Sequence, residues 1–314
     1  MSRILITGAG GYVGQQLAAA LARDHQVVGM DIRPAPASLR DTVTWWQRDI
    51  RDPELATLMA QQGIEQVVHL AAVLEDSGDR ARDFDIDVNG TENVLAACAS
   101  SQVRHIVVTS SGAAYGYHAD NPPWLKESDA LRGNPEFAYA DHKRQVEGLL
   151  AAYRKQHPEL QQLVLRVGTV LGENTDNQIT KLFSARRMLK IKGSDSPFVF
   201  IWDQDLLAII DQGVRRQQAG IFNVAGDGAL TVGELAAMMG KPVVTMPASV
   251  IKAALWLGCR LRLSRYAPVQ VNFLRYRPVL DNQHLKQEFG YLPQKSSRQV
   301  FSYYLEHARR RGKL

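Results

Sequence analysis

The opening stretch of the chain already restricts it to one kind of local geometry. Arg3-Ile4-Leu5-Ile6-Thr7 is a β-rich run that stops at Gly8-Ala9-Gly10-Gly11-Tyr12-Val13-Gly14, and Gln15 to Arg23 then reads as a helix. Strand, tight turn and helix in this order begin a βα unit, and the helix N-terminus is a place to hold phosphate. Gly8, Gly11 and Gly14 fit a G-x-x-G-x-x-G spacing. In such a spacing the glycines give a sharp turn, close backbone approach to a pyrophosphate, and tight packing of helix on strand. Tyr12 and Val13 lie on the same turn and are expected to line a dinucleotide.

The pattern then repeats. Gln26 to Met30 reads as a second strand ending at Asp31, about 20 residues past the turn, where an acid can accept hydrogen bonds from ribose hydroxyls. This favours NAD. Arg33 keeps NADP open, because a guanidinium can meet a 2′-phosphate, although a solvent-facing arginine is the plainer reading. A third strand near Val43 to Trp46 leads to Asp49-Ile50, read either as a clamp on the adenine edge or, for Asp49, as a helix cap before Pro53. Glu65 to Leu70 is the fourth strand, and it delivers Leu70-Ala71-Ala72, small enough in part for a flat cofactor to lie against the backbone. His69 reads as structural. Asp83 to Ser101 reads as one long helix, in which Asn89 is expected either to support the region of Lys143 or to form a buried polar tie. Arg104 to Thr109 is the fifth strand, followed by Ser110-Ser111. Alternating strands and helices give a doubly wound α/β fold with a parallel sheet, whose ligands lie beyond the carboxyl ends of the strands.

Tyr139-Ala140-Asp141-His142-Lys143 carries the candidate chemistry. On a helix, residues four apart share a face, so an ammonium can sit beneath a phenol and favour its ionised form. Such a pair is a candidate acid and base.

With Leu165-Arg166-Val167 added, these segments together resemble an extended short-chain dehydrogenase/reductase of the NAD-dependent epimerase/dehydratase group, over about the first 170 residues. The resemblance implies a Rossmann domain over 1–170, completed by segments near 198–225, with a smaller substrate-binding domain formed by 171–197 and 226–314. It implies Ser111 as the hydroxyl that holds the substrate oxygen, Tyr139 as proton donor or acceptor, and Lys143 as the residue that binds the nicotinamide ribose. Ser110 is the alternative to Ser111, and Tyr115 reads as pocket wall. A homodimer is implied by analogy.

Two departures from the family narrow the chemistry. Sugar-nucleotide 4,6-dehydratases of the group place an Asp-Glu pair after the active hydroxyl, where this chain has Gly112 and Ala113, so a dehydratase is disfavoured. The group's sugar-nucleotide enzymes also carry an arginine shortly before a Phe-x-His-Val-x-Asp run. Here the run is Ser196-Pro197-Phe198-Val199-Phe200-Ile201-Trp202-Asp203-Gln204-Asp205, without the arginine. A bidentate guanidinium is the natural partner of a diphosphate, so its absence favours a less polar substrate, acyl or ketide-like. Arg186, Arg187 and Lys192 keep the sugar-nucleotide reading open.

The net charge of +5 comes from dispersed basic residues with no aromatic-interleaved run, which argues against nucleic acid. Cys98 and Cys259 stand in apolar surroundings without metal-ligand spacing and read as reduced core thiols. The opening strand leaves no room for a signal peptide, so a cytoplasmic protein is expected. Residues 248–263 form an amphipathic segment with Lys252, Arg260 and Arg262, too short and too charged to span a bilayer. It reads as a core-facing helix, a lid over an apolar substrate, or a surface for a carrier protein or a membrane.

The functional expectation is an NAD-dependent oxidoreductase that interconverts a secondary alcohol and a ketone on a small-molecule substrate. The alternatives are a sugar-nucleotide epimerase that retains its NAD, and a dinucleotide-binding regulator without turnover.

Overall fold

The computed structural model describes residues 1–75, 77–261 and 268–313. Arg262 and Leu263, at the end of the amphipathic segment, lie outside the described residues. In chain order the strands are β1 (Arg3–Thr7), β2 (Gln26–Asp31), β3 (Thr44–Gln47), β4 (Gln66–His69), β5 (His105–Ser111), β6 (Gln161–Val167), β7 (Thr169–Leu171), β8 (Met188–Ile191), β9 (Phe200–Trp202), β10 (Gly220–Val224) and β11 (Val243–Met246). The α-helices are α1 (Tyr12–Leu21), α2 (Leu55–Gln62), α3 (Arg80–Phe84), α4 (Gly90–Ser100), α5 (Ala138–Gln156), α6 (Gln178–Phe183), α7 (Asp203–Arg216), α8 (Val232–Met239), α9 (Ala248–Arg260), α10 (Val271–Arg275) and α11 (Ser297–Arg310).

The chain divides into two compact units. The first comprises Met1–Ser111, His142–Arg166 and Asp203–Phe222, and the second Gly112–Asp141, Val167–Trp202 and Asn223–Leu314. The sequence alone groups 112–141 with the first domain. In the structure that segment joins the second unit because its hydrogen bonds run there: Leu125 N donates to Val279 O at 2.7 Å, Asp281 N to Leu125 O at 2.8 Å, and the Tyr115 hydroxyl to Asn223 Oδ1 at 2.9 Å.

The first unit is built on a seven-stranded sheet in the order β10-β6-β5-β4-β1-β2-β3. Its strands are short, apolar runs; Ile4, Leu5, Ile6 and Thr7 of β1 are fully buried, as expected of a parallel strand covered on both faces. β1 pairs with β2 on one side (Thr7 opposite Met30) and with β4 on the other (Thr7 opposite His69), both parallel. Strand order therefore reverses between β1 and β4, and the carboxyl ends of these two strands flank the topological switch point where ligands of such sheets bind. The core between sheet and helices holds Leu5, Met30, Met59, Val94, Leu95, Cys98 and Leu150 among others.

The expected single helix across 83–101 is interrupted. Between α3 and α4 the backbone makes a π-turn over Asp85–Asn89. Such a turn inserts one residue and shifts the rotational phase of the helix beyond it.

The second unit packs α6, α8 and α11 against two small parallel pairs, β7 with β9 and β8 with β11. Its core is aromatic: Phe183 meets Phe198, Phe200, Phe301 and Tyr304, with ring centroids 5.1–6.3 Å apart. Thr231 with Glu234 and Ser296 with Gln299 form capping boxes that start α8 and α11. α9 differs from these helices, since none of its residues is buried. This corrects the reading of the cysteines: Cys98 is a buried thiol, whereas Cys259 is exposed because α9 turns it outward.

Candidate active site

The glycine turn is shaped by what it must pass. Gly8 has φ +70°, and a Cβ there would lie 2.7 Å from the Ala71 nitrogen, so the backbones leaving β1 and β4 are in direct contact at the switch point. A Cβ on Gly14 would overlap the Gly8 carbonyl oxygen, which explains the glycine that seats α1 against the strand. Gly11 N closes the turn on Gly8 O at 3.0 Å. Tyr12 stands at the first position of α1, and its hydroxyl donates to the Asp203 carboxylate, whose pKa burial raises. Val13 is half-buried beside it.

Asp31, at the end of β2, points back to this turn. Gly10 N donates to its Oδ2 at 3.0 Å, a bond that sequence reasoning did not single out. Arg33 is neither free in solvent nor committed elsewhere: its Nε and Nη2 donate to the two Asp31 oxygens at 3.0 and 3.2 Å while its side chain stays 60% exposed. Burial alone would raise the Asp31 carboxyl's pKa, but the bonds and charge from Arg33 and the bond from Gly10 hold it below the usual range. The result is a charged acceptor with a displaceable lid.

Asp49, Ile50 and Asn89 each have contacts within the chain. The Asp49 carboxylate is taken by the Arg51 backbone at 2.9 Å and by its guanidinium at 2.7 Å, and Arg51 also holds Asp85 at 2.6 Å. Asp49 caps no helix either, since α2 starts only at Leu55. The Ile50 side chain is core, lying where a side chain on Gly90 would otherwise be. Asn89 is exposed and donates to Asp85 at 2.8 Å, so it neither supports Lys143 nor forms the buried tie. Asn93 is that tie, donating to Ile50 O at 2.7 Å and Asp52 O at 3.0 Å. The π-turn is the physical cause, because it turns Asn89 outward and brings Asp87 in.

Asp87 is the residue that sequence reasoning missed. Its Oδ1 accepts from Val73 N at 2.7 Å and its Oδ2 lies 2.9 Å from His142 Nδ1, with both side chains at least 95% buried. The pair ties the segment leaving β4 to α5 at the residue next to Lys143. The edge of Phe84 packs on the His142 ring, and His142 Nε2 is buried without a partner among the described residues. Leu70, Ala71 and Ala72, half-buried, run between Thr7 and this anchor; Leu70 N donates to Thr7 O at 3.1 Å. His69 is structural as read: its ring nitrogens lie 2.7 Å from Thr7 Oγ1 and 3.0 Å from Thr91 Oγ1, and burial, with the charge of Lys143 adding, pushes its pKa down to about 3.

Ser110 and Ser111 end β5 on opposite faces. Ser110 Oγ donates to Glu147 at 2.6 Å, and Glu147 is held by Arg166 at 2.7 Å in a buried ion pair. Ser110 therefore serves the core. Lys143 Nζ donates to Thr109 O at 2.9 Å, which fixes the lysine of α5 to the strand two residues before Ser111. Tyr139 lies one turn before Lys143 on the same helix.

Within the second unit, Tyr139 neighbours a second group of residues. Burial first, and then the Tyr139 phenol, push the pKa of Tyr117 up, while Arg277 opposes them. The Tyr117 ring packs edge-on with Phe137 and Phe273, at 5.2 and 5.1 Å. Arg277 lies 3.8 Å above the centre of Phe198 and donates to Ser196 O at 3.0 Å. Burial lowers its pKa to about 9, so it remains cationic at neutral pH, and no carboxylate pairs with it among the described residues. Sequence reasoning sought a cation at or before the 196–205 run, among Arg186, Arg187 and Lys192, and passed over this one.

A parallel sheet with a glycine-lined switch point, an acid at the end of β2 and a Tyr-x-x-x-Lys helix defines a dinucleotide-dependent oxidoreductase fold. Residues 4–207 match the model of the NAD dependent epimerase/dehydratase family, and the chain belongs to that family, an enzyme family with NAD as cofactor. The glycine cradle and the charged Asp31 fit that cofactor. The chain is 31% identical over 236 residues to a UDP-glucose 4-epimerase of Mycolicibacterium smegmatis, covering 68% of this chain and 72% of that protein. Over 181 residues it is 30% identical to an N-acetyl-alpha-D-glucosaminyl-diphospho-ditrans,octacis-undecaprenol 4-epimerase of Escherichia coli O157:H7, covering 57% of this chain and 52% of that one. A crystal structure of UDP-glucose 4-epimerase from Thermotoga maritima with UDP-glucose shares the fold with a TM-score of 0.76 at 19% identity, over 98% and 99% of the two chains.

Proposed function

We propose that this enzyme interconverts a secondary alcohol and a ketone, with Ser111, Tyr139 and Lys143 acting on the substrate oxygen. The observation that carries the proposal is the Lys143 Nζ to Thr109 O bond, which anchors the tyrosine-bearing helix to the strand that ends in Ser111. NAD, when bound, supplies or receives the hydride at carbon. The chain's own residues handle the oxygen. Ser111 donates a hydrogen bond to it, and Tyr139 gives or takes its proton. Lys143, held by Thr109, donates to the nicotinamide ribose. Asp31 accepts from the adenosine ribose hydroxyls once Arg33 swings aside. The same arginine is the donor for a 2′-phosphate, so NADP is a weaker second cofactor under this reading.

The substrate reading has two forms. An apolar acyl or ketide substrate gives an enzyme that releases NADH. A sugar diphosphate gives an epimerase that oxidises and re-reduces one carbinol with NAD retained. Arg277 supports the second, because a cation without a carboxylate partner is what a diphosphate calls for, and it stands in the same unit as Tyr139. The names of the two epimerase relatives point the same way. It also answers the missing arginine near Phe198.

The test is turnover of a panel of sugar diphosphates and hydroxyacyl compounds, following NADH absorbance and product isomers together. Isomer without NADH supports the epimerase, and stoichiometric NADH supports the dehydrogenase. Tyr139→Phe is expected to lower either rate by about 10²–10⁴-fold; unchanged turnover would reject Tyr139 as the proton donor.

A further inference from the structure

We propose that α9 is a membrane-surface helix that docks this enzyme on an anionic lipid bilayer. This goes beyond the hydride-transfer reading and does not depend on it. The helix carries an apolar stripe that faces solvent: Val250, Ala254, Leu257 and Leu261 recur at four- and three-residue steps, and Val250, Leu257 and Leu261 are 47%, 51% and 57% exposed. Trp256, 56% exposed, also faces solvent, about 100° round the helix from Leu257, with the Arg260 guanidinium 5.6 Å from its ring centre. The side with Ile251, Leu255 and Gly258 is only half-buried. An outward stripe of this kind needs a cover.

Charge identifies the cover. Every charged residue between Glu234 and Asp281 is Lys or Arg, a concentration of positive charge within a chain of net charge only +5. Arg260 stands beside the stripe on the exposed side, and its long stem lets the charged head reach phosphates while the stripe sinks between lipids. Tryptophan at the rim suits the headgroup level. A second copy of the chain is a poor cover, because a two-fold axis through the stripe would leave Arg260 with no acid from this stretch to meet it. The helix is about 20 Å long, shorter than the hydrocarbon core, so it lies in the interface and does not cross it. Among the described residues no helix is long and apolar enough to cross a membrane.

The experiment is co-sedimentation of the full chain with vesicles of phosphatidylcholine alone and of phosphatidylcholine mixed with phosphatidylglycerol. Binding to the mixed vesicles, weakened by salt and near absent on phosphatidylcholine, is expected. Leu257→Glu and Arg260→Glu should each weaken it by at least about tenfold, the scale of one lost apolar anchor or one reversed charge. NAD affinity and the thermal melt serve as controls for folding, and both should match wild type. The proposal is overturned if wild type stays in the supernatant or if both variants bind like wild type. It is equally overturned if light scattering shows a wild-type dimer that Leu257→Glu dissociates. Capture of an acidic carrier protein through α9, with no vesicle binding, would also replace it.

Discussion

Helices α5 and α9 invert the usual relation between polarity and burial. α5 carries His142, Lys143 and Glu147, and each of these is at least 93% buried. α9 is mostly Ala, Val, Ile, Leu and Trp, and none of its residues is buried. The difference is partnership. On α5 each charged or polar head meets a designated group: His142 meets Asp87, Lys143 meets Thr109 O, and Glu147 meets Arg166 and Ser110. A buried charge is tolerable only when paired in this way. On α9, Val250, Trp256 and Leu257 stay exposed among the described residues. Burial in this protein follows the available partner more than hydropathy.

The sharpest way to break this comparison is to remove a partner from α5. Glu147→Ala takes the carboxylate away from the buried Arg166 guanidinium, and should cost about 3–5 kcal/mol in denaturant unfolding. A cost below about 1 kcal/mol would mean that the ion pair does not govern the burial of this helix. Asp87→Ala orphans Val73 N and His142 Nδ1 and should cost about 1–3 kcal/mol. It should also weaken NAD binding, measured by calorimetry, because the segment leaving β4 loses its anchor. Full NAD affinity in a destabilised variant would confine Asp87 to folding.

Asp31 offers a smaller, pH-dependent effect. Its folded pKa lies below its unfolded value, so its stabilisation is present above the unfolded pKa and fades as pH falls through the folded one. Wild type should therefore exceed Asp31→Asn by about 1 kcal/mol at neutral pH, discounted for the exposed Arg33 partner, with the gap closing in acid below about pH 4. A gap that persists unchanged into acid would show that the carboxylate's charge is not its source. The smallest effect belongs to α9: Leu257→Gln should change stability by less than about 0.5 kcal/mol. A loss of 2 kcal/mol or more, on the scale of a core leucine, would erase the contrast between the helices.

The first strand, the glycine turn and the strand ending at Asp31 were legible in the sequence because their signals are local: a β-rich run, a fixed glycine spacing, an acid at a set interval. The choice of Ser111 over Ser110 rested on family spacing. What assigns Ser110 to the core is a glutamate 37 positions away, and no local pattern reveals that. Asn89 was misassigned because a regular helical period was applied through Asp85–Asn89, where the backbone takes an extra residue. The clustering of residues 112–141 with the second unit was not legible because their partners, Asn223 and Val279 among them, lie far along the chain. Cys259 looked buried for the reason that α9 as a whole did: apolar company was taken as a core.

The π-turn before α4 behaves like a spacer in a threaded rod. Running the same residues as a regular α-helix would rotate everything after 89 by about 100°. Gly90 would swing away from Ile50, Thr91 from His69 and Asn93 from the loop it holds, all at once. A single-codon deletion there would instead take out the extra residue and leave these three joints of the first unit nearly in phase. The irregular turn sets the rotational phase that lets one helix serve sheet, loop and β4 exit together.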